Sequence, residues 1–391
     1  MVQVGKKWTV LAASLCMQTI LGGVYAWSTL SVWVKKETGI NNGQAGLVFG
    51  LTILVFTAVM VFSGRLLPRL EPRKTAAIGA FAYGSGFLLA SYSHASFMLL
   101  LLGISMLSGI GIGFSYVVPL TVCLKWFPNR KGLITGLSVG GFGGGAILLS
   151  AVIEEAYLSN LSLSLFLRGY GIIAAILLLA CAYLLFVPDE PSSTRKKIPH
   201  AVYRDSVMMF SSLGMFSGTF AGLLVVGNLS SLVQESGLSE VQAVFAVMLF
   251  SVGNASARII WGFIFDRIGS VSIPLSLLLF SLTTLFFLVG GPSLTLVLVL
   301  VGFLGFSFGA NFVLYAAVIA HAYPLHYFSS LYPLCFLAYG MAGLLGPAIG
   351  GALRDLSGSY RLSLMLCLFL VTISAILLFA KRRSLNGRYK P

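Results

Sequence analysis

Charged residues are scarce in this chain, and acidic residues are scarcest. Only 9% of its 391 residues are Asp, Glu, Lys or Arg, and 11 of these are acidic. A soluble domain carries about 25% charged residues, because its surface faces water. This chain has too few charges to cover such a surface, so its surface must face lipid.

Cysteine and histidine are also few, with five and four residues. The cysteines all fall in apolar stretches, none at metal-ligand spacing, and we interpret them as small buried side chains. The histidines fall in loops or beside them. No catalytic dyad, triad or metal cluster emerges, so we expect no cofactor, no metal and no enzyme activity.

What the chain has instead is long apolar runs, since 58% of its residues are hydrophobic. A membrane-spanning helix needs about 20 apolar residues, and backbone groups in lipid must be satisfied within the segment. The predicted spans are 8–33, 43–66, 74–93, 97–123, 132–153, 166–187, 206–232, 239–263, 271–290, 295–320, 328–352 and 360–380. We therefore predict an all-α membrane protein with twelve transmembrane helices.

The basic residues predict the orientation of these spans. One side receives nineteen of them: Lys6, Lys7, Arg65, Arg69, Arg73, Lys74, Lys125, Arg130, Lys131, Arg195, Lys196, Lys197, Arg204, Arg267, Lys381, Arg382, Arg383, Arg388 and Lys390. The other side receives five: Lys35, Lys36, Arg168, Arg354 and Arg361. The positive-inside rule places both termini in the cytoplasm, with the protein in the cell membrane. The clusters lack interleaved aromatics, so we expect no nucleic-acid partner despite the +14 charge.

Short motifs recur about half a chain apart. Gly64-Arg65 follows the second run and Gly262-Phe263 follows the eighth, 198 residues later. Phe127-Pro128 and Tyr323-Pro324 repeat at 196 residues. The repeat predicts an N-terminal six-helix half at 1–188, a cytoplasmic central loop at 189–205 and a C-terminal half at 206–391.

Two six-helix halves in parallel repeat resemble the major facilitator superfamily. The stretch that begins at Gly262 resembles that superfamily's cytoplasmic loop signature, whereas the first copy has Pro68 and Glu71 where Asp and Gly are usual. The resemblance implies a gating or loop-motif role for Gly262, Asp266, Arg267 and Arg130.

One charge falls inside a span. Arg258 lies eight residues before Asp266, which is about 12 Å along a helix axis and places it near the bilayer centre. An arginine there costs at least about 2.5–3.5 kcal/mol on insertion scales. A bound carboxylate would offset that cost through two parallel charge-assisted hydrogen bonds. Two other roles for Arg258 are open besides binding a substrate carboxylate. It is either a structural residue that bonds helix carbonyls or a gating residue.

Several polar and aromatic residues are candidates to complete this site. Asn254 lies one turn before Arg258 on the same helix face. Three roles are open for it: to orient the guanidinium, to donate a hydrogen bond to the anion, or to bond a neighbouring helix. The aromatic candidates come from spans one, four and ten, and packing is the competing interpretation for each. The residues predicted to line the cavity are Tyr25, Tyr116, Phe308, Asn311, Phe312 and Tyr315.

Three motifs resemble the oxalate/formate antiporter family, which is similar in turn to the monocarboxylate transporters. They are Gly23-Val24-Tyr25-Ala26-Trp27-Ser28, then Lys125-Trp126-Phe127-Pro128-Asn129-Arg130-Lys131-Gly132, and the stretch from Asn254 through Arg258 to Gly269. Their order and spacing hold over nearly the whole chain. The resemblance implies carboxylate transport, with Arg258 as the anion-binding cation.

Departures from these families narrow the prediction. Tyr339 stands where the dicarboxylate antiporter has a second cation, a lysine in span eleven, so a monoanion suits this chain better than a dianion. Thr29 and Asn254 stand where monocarboxylate transporters carry a lysine and an aspartate linked to proton coupling.

We therefore predict a monomeric transporter of small monocarboxylates such as lactate, pyruvate or formate, which works by alternating access with protons or a counter-anion as co-substrates. The main alternative is a transporter or exporter of a larger anion, such as a siderophore or another metabolite. An exporter of cationic drugs is disfavoured, because a buried arginine repels cations. A non-transporting receptor of the same fold stays open.

Overall fold

The structure, a computed structural model, describes residues 2–188, 199–289 and 293–385. Every regular element in these ranges is helical. The α-helices are α1 (Val2–Gly22), α2 (Trp27–Thr38), α3 (Asn42–Leu70), α4 (Pro72–Ala90), α5 (Phe97–Leu100), α6 (Gly109–Ser115), α7 (Val117–Trp126), α8 (Lys131–Leu158), α9 (Leu163–Tyr183), α10 (His200–Tyr203), α11 (Ser206–Gly227), α12 (Leu229–Glu235), α13 (Glu240–Ile268), α14 (Ser272–Val289), α15 (Leu294–Ala322), α16 (Leu325–Ser357), α17 (Arg361–Ala380) and α18 (Arg382–Leu385).

These helices form the twelve predicted spans, so the predicted fold class is confirmed. Among the described residues, ten segments are long and apolar enough to cross a membrane. One of these segments, Gln242–Val289, has 48 residues and contains most of α13 and all of α14, so it accounts for two spans. The remaining span is α4, which has 19 residues.

Three spans are not single α-helices, and one of them is span seven, which is interrupted at Asn228 between α11 and α12. Span one changes to a 3-10 turn at Gly23–Ala26 between α1 and α2, and span four contains a π-helical stretch at Leu101–Ser108. Such local changes of helix type leave the apolar run intact, so the sequence predicts the span but not the change.

Some predicted features lie outside the described residues. They are most of the central loop at 189–205 with Arg195, Lys196 and Lys197, the tail residues Arg388 and Lys390, and the last residue of the span predicted at 271–290.

The repeat seen in the sequence recurs in the helix starts. Asn41 accepts a hydrogen bond from the Gln44 amide at the start of α3, and the Gln44 side chain accepts from the Asn41 amide. Ser239 and Gln242 form the same capping box at the start of α13, 198 residues later. Reciprocal caps of this kind satisfy two of the free amides of a helix start.

The ends of α3 and α13 correspond as well. Glu71 follows α3 with φ +67°, and Gly269 follows α13 with φ +62°. Glycine adopts this conformation without penalty, whereas Glu71 bears a local strain of about 1–3 kcal/mol. The backbone turn has therefore been kept in both copies, although only one has kept its glycine.

The described chain divides into two compact units. The N-terminal unit contains residues 2–128, 138–188 and 325–333, and the C-terminal unit contains 129–137, 199–289, 293–324 and 334–385. Two short segments, at the starts of α8 and α16, thus belong to a different unit from the rest of their helices. The boundaries predicted at 188 and 206 stay a prediction.

Glycines set the distance between α13 and α15 in the C-terminal unit. A Cβ at Gly305 would lie 2.0 Å from the backbone oxygen of Phe250, and a Cβ at Gly253 would lie 2.2 Å from that of Gly302. Small residues at such an interface let two helix backbones approach closely. This close approach brings the side chains of the site described below together.

Gly305→Ala and Gly302→Ala form a matched pair on α15. We expect Gly305→Ala to lower the melting temperature in detergent by several degrees, because its Cβ overlaps the Phe250 carbonyl and overpacking costs about 1–3 kcal/mol. A Cβ at Gly302 meets nothing within 4 Å, so Gly302→Ala should be neutral or stabilising. Equal melting temperatures for the two variants would contradict the close contact between Gly305 and the Phe250 backbone.

Candidate functional site

Arg258 lies inside α13 with its side chain fully buried, and it is the only buried charged residue among those described. Its guanidinium carbon stands 4.5 Å from the ring centre of Phe312 on α15. A cation over an aromatic face gains about 0.5–2 kcal/mol, which offsets only part of the cost of the charge. Phe312 is therefore one of the groups that stabilise the buried charge.

Aromatic rings surround Phe312 on its other sides. The rings of Phe308 and Tyr339 meet it edge-on, each with centroids 5.1 Å away, and Phe336 lies 6.0 Å away. All four rings are buried. Tyr339 occupies the position at which the resemblance in sequence would place a lysine. The surroundings of Arg258 in this unit are therefore aromatic, without a second buried cation among the described residues.

Asn254 is buried one turn before Arg258, against Gly309 of α15. A Cβ at Gly309 would lie 2.3 Å from the Asn254 backbone oxygen and 2.9 Å from its Oδ1. Oδ1 has no hydrogen-bond partner among the described residues. The interhelical bond considered from the sequence is thus not formed by this oxygen.

Trp261 was not predicted as a site residue, although it follows Arg258 by three positions and so shares its helix face. Its side chain is buried, with its ring 5.8 Å from that of Phe306. The indole Nε1, which can only donate, also has no hydrogen-bond partner among the described residues. The helical spacing from Arg258 was the signal in the sequence that could have found it.

Asn311 and Tyr315 lie on another face of α15 and pack on α11. A Cβ at Gly218 would lie 2.2 Å from Asn311 Oδ1, and one at Gly214 would lie 2.2 Å from the Tyr315 hydroxyl oxygen. Asn311 Nδ2 donates to the backbone oxygen of Phe308 at 3.0 Å. Glycines of α11 thus receive these two side chains, and no described contact brings either of them to Arg258.

Tyr25 and Tyr116 belong to the N-terminal unit, where both contact Phe142. Tyr25 lies in the 3-10 turn of span one, and Tyr116 lies at the junction of α6 and α7. Their rings meet Phe142 edge-on at 5.4 Å and 5.0 Å. Gln18 donates to the Tyr116 backbone oxygen at 3.0 Å. This unit therefore brings together the two tyrosines that the sequence singled out.

The loop motif at the end of α13 holds the start of α8. Both carboxylate oxygens of Asp266 accept hydrogen bonds, one from the amide of Gly132 and one from that of Leu133, each at 2.8 Å. A carboxylate at a helix start satisfies free amides and interacts favourably with the helix dipole. A Cβ at Gly262 would lie 2.5 Å from the Gly132 backbone oxygen, so the motif glycine permits this approach.

The neighbouring basic residues differ in their contacts. Lys131 donates to the backbone oxygen of Ala320 near the end of α15 at 2.6 Å. Arg267 lies over the ring of Phe263, 4.2 Å away, and Arg130 is exposed. Among the predicted loop residues, Asp266 and Gly262 therefore touch the start of α8.

The matching contact in the N-terminal unit lacks the acid. A Cβ at Gly64 would lie 1.9 Å from the backbone oxygen of Ser329 at the start of α16, and the Ser330 hydroxyl donates to the Gly64 oxygen at 3.4 Å. Pro68 stands at the repeat position of Asp266 and offers no carboxylate. The departure seen in the sequence thus removes the helix cap but keeps the close glycine contact.

The described helices include ten segments long and apolar enough to cross a membrane, with a single buried cation among the described residues, which defines a polytopic membrane protein. The chain belongs to the Major Facilitator Superfamily, whose family model matches residues 10–330 and, in a second match, residues 209–391.

The curated relatives are similar over most of their length. An uncharacterized MFS-type transporter of Escherichia coli, YhjX, is 24% identical over 86% of each chain. The oxalate:formate antiporter of Oxalobacter formigenes is 21% identical over 89% of this chain and 85% of its own. Human monocarboxylate transporter 11 is 24% identical over 93% of this chain and 80% of its own. The resemblance predicted from the motifs is thereby confirmed.

Solved structures share the fold. The transporter FucP in its outward conformation superposes with a TM-score of 0.72 at 18% identity, over 93% of this chain and 97% of that chain. The proton:xylose symporter XylE gives 0.73 at 12% identity, over 97% and 96%. These relatives and neighbours are transporters, so this chain is a multi-pass membrane transport protein.

Asp266→Asn keeps the shape of the side chain but removes its charge and one acceptor oxygen. We expect the amides of Gly132 and Leu133 to exchange with deuterium roughly tenfold faster, because hydrogen bonds to a charged group contribute about 1.5–3 kcal/mol. Hydrogen-exchange mass spectrometry of peptides covering 129–137 measures this. Asp355→Asn, at an exposed acid that pairs with the adjacent Arg354, is the control. Unchanged exchange at residues 132 and 133 would contradict the cap.

Proposed function

We propose that this transporter carries small monocarboxylates of the lactate, pyruvate or formate type, with Arg258 as the cation that binds the carboxylate. The observation that carries the proposal is the complete burial of this arginine inside a spanning helix. A planar guanidinium matches a carboxylate with two parallel hydrogen bonds, which a point charge such as lysine cannot reproduce.

The single charge supports a monoanion. Arg258 is the only buried charged residue among those described, and a dianion held by it would keep one uncompensated negative charge in a medium of low dielectric constant. The neighbouring rings of Phe312, Phe308 and Tyr339 add apolar contact surface for a short carbon chain. This combination favours a small acid with one carboxylate and an apolar remainder.

The names of the relatives agree with an organic acid as the substrate. The Oxalobacter relative is an oxalate:formate antiporter, and the human relative is a monocarboxylate transporter. A relative from Toxoplasma gondii, an apicoplast pyruvate carrier, matches 41% of this chain at 26% identity. Transport of carboxylates thus recurs among the proteins that this chain resembles.

The transport cycle is proposed to follow alternating access, with protons or a counter-anion as the co-substrate and with both termini in the cytoplasm. The loop motif is assigned to gating, since the Asp266 contact with the start of α8 depends on the position of α13. The hydroxyls of Tyr25 and Tyr116 are assigned as donors to the anion on the strength of the sequence, and phenylalanine substitution at each tests this.

Uptake of labelled lactate, pyruvate, formate and oxalate into proteoliposomes tests the proposal with wild type, Arg258→Ala and Arg258→Lys. We expect saturable monocarboxylate uptake in wild type and none in Arg258→Ala. Arg258→Lys should keep less than about a tenth of the activity, because it retains the charge but loses the paired hydrogen bonds.

Arg361→Ala is the control, since Arg361 is exposed at the start of α17. It should transport like wild type. Full activity of Arg258→Ala would contradict the proposal. If wild type took up none of these acids but did take up bulkier ones, a transporter of larger anions would be favoured.

Tyr339→Lys tests the argument from a single charge. The Tyr339 ring lies 5.1 Å from that of Phe312, which in turn lies 4.5 Å from the Arg258 guanidinium, so a lysine here adds a second cation to the same cluster. We expect oxalate to become a substrate or a competitive inhibitor, and monocarboxylate uptake to weaken. Tyr339→Phe, which keeps the ring, should retain the monocarboxylate preference. Oxalate exclusion that persists in a well-inserted Tyr339→Lys variant would count against the charge argument.

A further inference from the structure

Two polar atoms on the Arg258 side of α13 have hydrogen-bonding capacity that the described residues do not use. They are Oδ1 of Asn254, four residues before the arginine, and Nε1 of Trp261, three residues after it. Both atoms are inaccessible to solvent. About nine in ten buried polar groups or more have a partner, so an exception requires an explanation.

Other polar side chains of α13 do form hydrogen bonds, so the missing partners are a feature of the residues beside Arg258 and not of the whole helix. Ser251 donates to the Val247 backbone oxygen at 2.9 Å, and Ser256 donates to that of Gly253 at 3.0 Å. These hydroxyls are satisfied by their own helix. The two groups that flank Arg258, Asn254 Oδ1 and Trp261 Nε1, are not satisfied in this way.

The two atoms differ in kind, and their positions bracket the cation. Asn254 Oδ1 is an acceptor, and the indole Nε1–H is a donor only. At about 1.5 Å per residue, Asn254 lies about 6 Å before Arg258 along the axis and Trp261 about 4.5 Å after it. An acceptor, a cation and a donor thus follow one another along about 10 Å of one helix.

Asn254 is held in place by its neighbours. Gly309 of α15 lets the asparagine approach so closely that a Cβ there would lie 2.9 Å from Oδ1 and 2.3 Å from the Asn254 backbone oxygen. The carboxamide therefore lies against a helix backbone and has little room to turn away. A fixed acceptor of this kind selects for a donor on the molecule that meets it.

We infer that the preferred substrate is a 2-hydroxy monocarboxylate, with the carboxylate on Arg258 and its hydroxyl donating to Asn254 Oδ1. Trp261 Nε1–H supplies a further donor to the carboxylate. This inference rests on the proposed function and narrows it to one class of acid. A 2-oxo acid presents a carbonyl oxygen to an acceptor, and an unsubstituted acid presents a methylene, so both leave Oδ1 unsatisfied.

Lactate, pyruvate and propionate form a matched set for the test, because all three are three-carbon acids that differ only at the second carbon. Their KM values are measured in proteoliposomes containing wild type, Asn254→Leu, Trp261→Phe or Ser251→Ala. In wild type we expect the KM for lactate to be about five- to tenfold below that for the other two acids, the effect of one hydrogen bond.

The variants separate the assigned contacts. Asn254→Leu should raise the KM for lactate alone, so that the three acids fall within about twofold of one another. Trp261→Phe should raise all three KM values together, because it acts on the shared carboxylate. Ser251→Ala should behave like wild type. If Asn254→Leu is poorly inserted, Asn254→Ala carries the same test without added bulk beside Gly309.

The outcomes distinguish this inference from the function on which it rests. Uptake of monocarboxylates without a preference for lactate overturns the inference and leaves the proposed function standing. A lactate preference that survives in the Asn254 variants also overturns the inference. So does an Asn254 variant in which the KM values for all three acids rise equally. Absence of uptake for every monocarboxylate refutes the proposed function itself.

Discussion

The structure of the C-terminal unit depends on one constraint, which is the presence of an arginine in the middle of a membrane-spanning helix. A charge in that position costs several kcal/mol, so its surroundings must compensate. Phe312 supplies a ring face 4.5 Å from the guanidinium, and Phe308 and Tyr339 support that ring edge-on. The close approach of α13 and α15, set by Gly253 and Gly305, brings these side chains within reach.

The same helix links this cation to the loop motif. Arg258 and Asp266 lie eight residues apart on α13, one in the membrane interior and the other at the helix end, where its carboxylate caps α8. A Cβ at Gly136 of α8 would lie 2.2 Å from the Arg258 backbone oxygen, so the two helices also touch at the site itself. A displacement of α13 therefore changes the surroundings of Arg258 and the cap on α8 together.

The two copies of the repeat share a backbone but not a chemistry. Both have a capping box at the start of α3 or α13, a positive φ after that helix, and a glycine that approaches a neighbouring backbone. Only the second copy has the carboxylate of Asp266 and the cation of Arg258, because Pro68 and Met60 stand at the corresponding positions of the first. The repeated backbone thus provides the scaffold, and the distinctive charges lie in one copy.

Composition and the lengths of the apolar runs were enough to predict the spanning helices, because the membrane forces each apolar run of sufficient length to be a helix. Arg258 could be identified for the same reason, since a charge within such a run is conspicuous. The breaks in spans one and four could not, because a change of helix type leaves hydrophobicity unaltered. Nor did the sequence reveal that Asn311 and Tyr315 pack on α11 while Phe312 meets the guanidinium, or that Asn254 Oδ1 and Trp261 Nε1 are left without partners among the described residues. Which face of a helix meets which neighbour depends on side chains that are distant in sequence, so only the tertiary structure decided it.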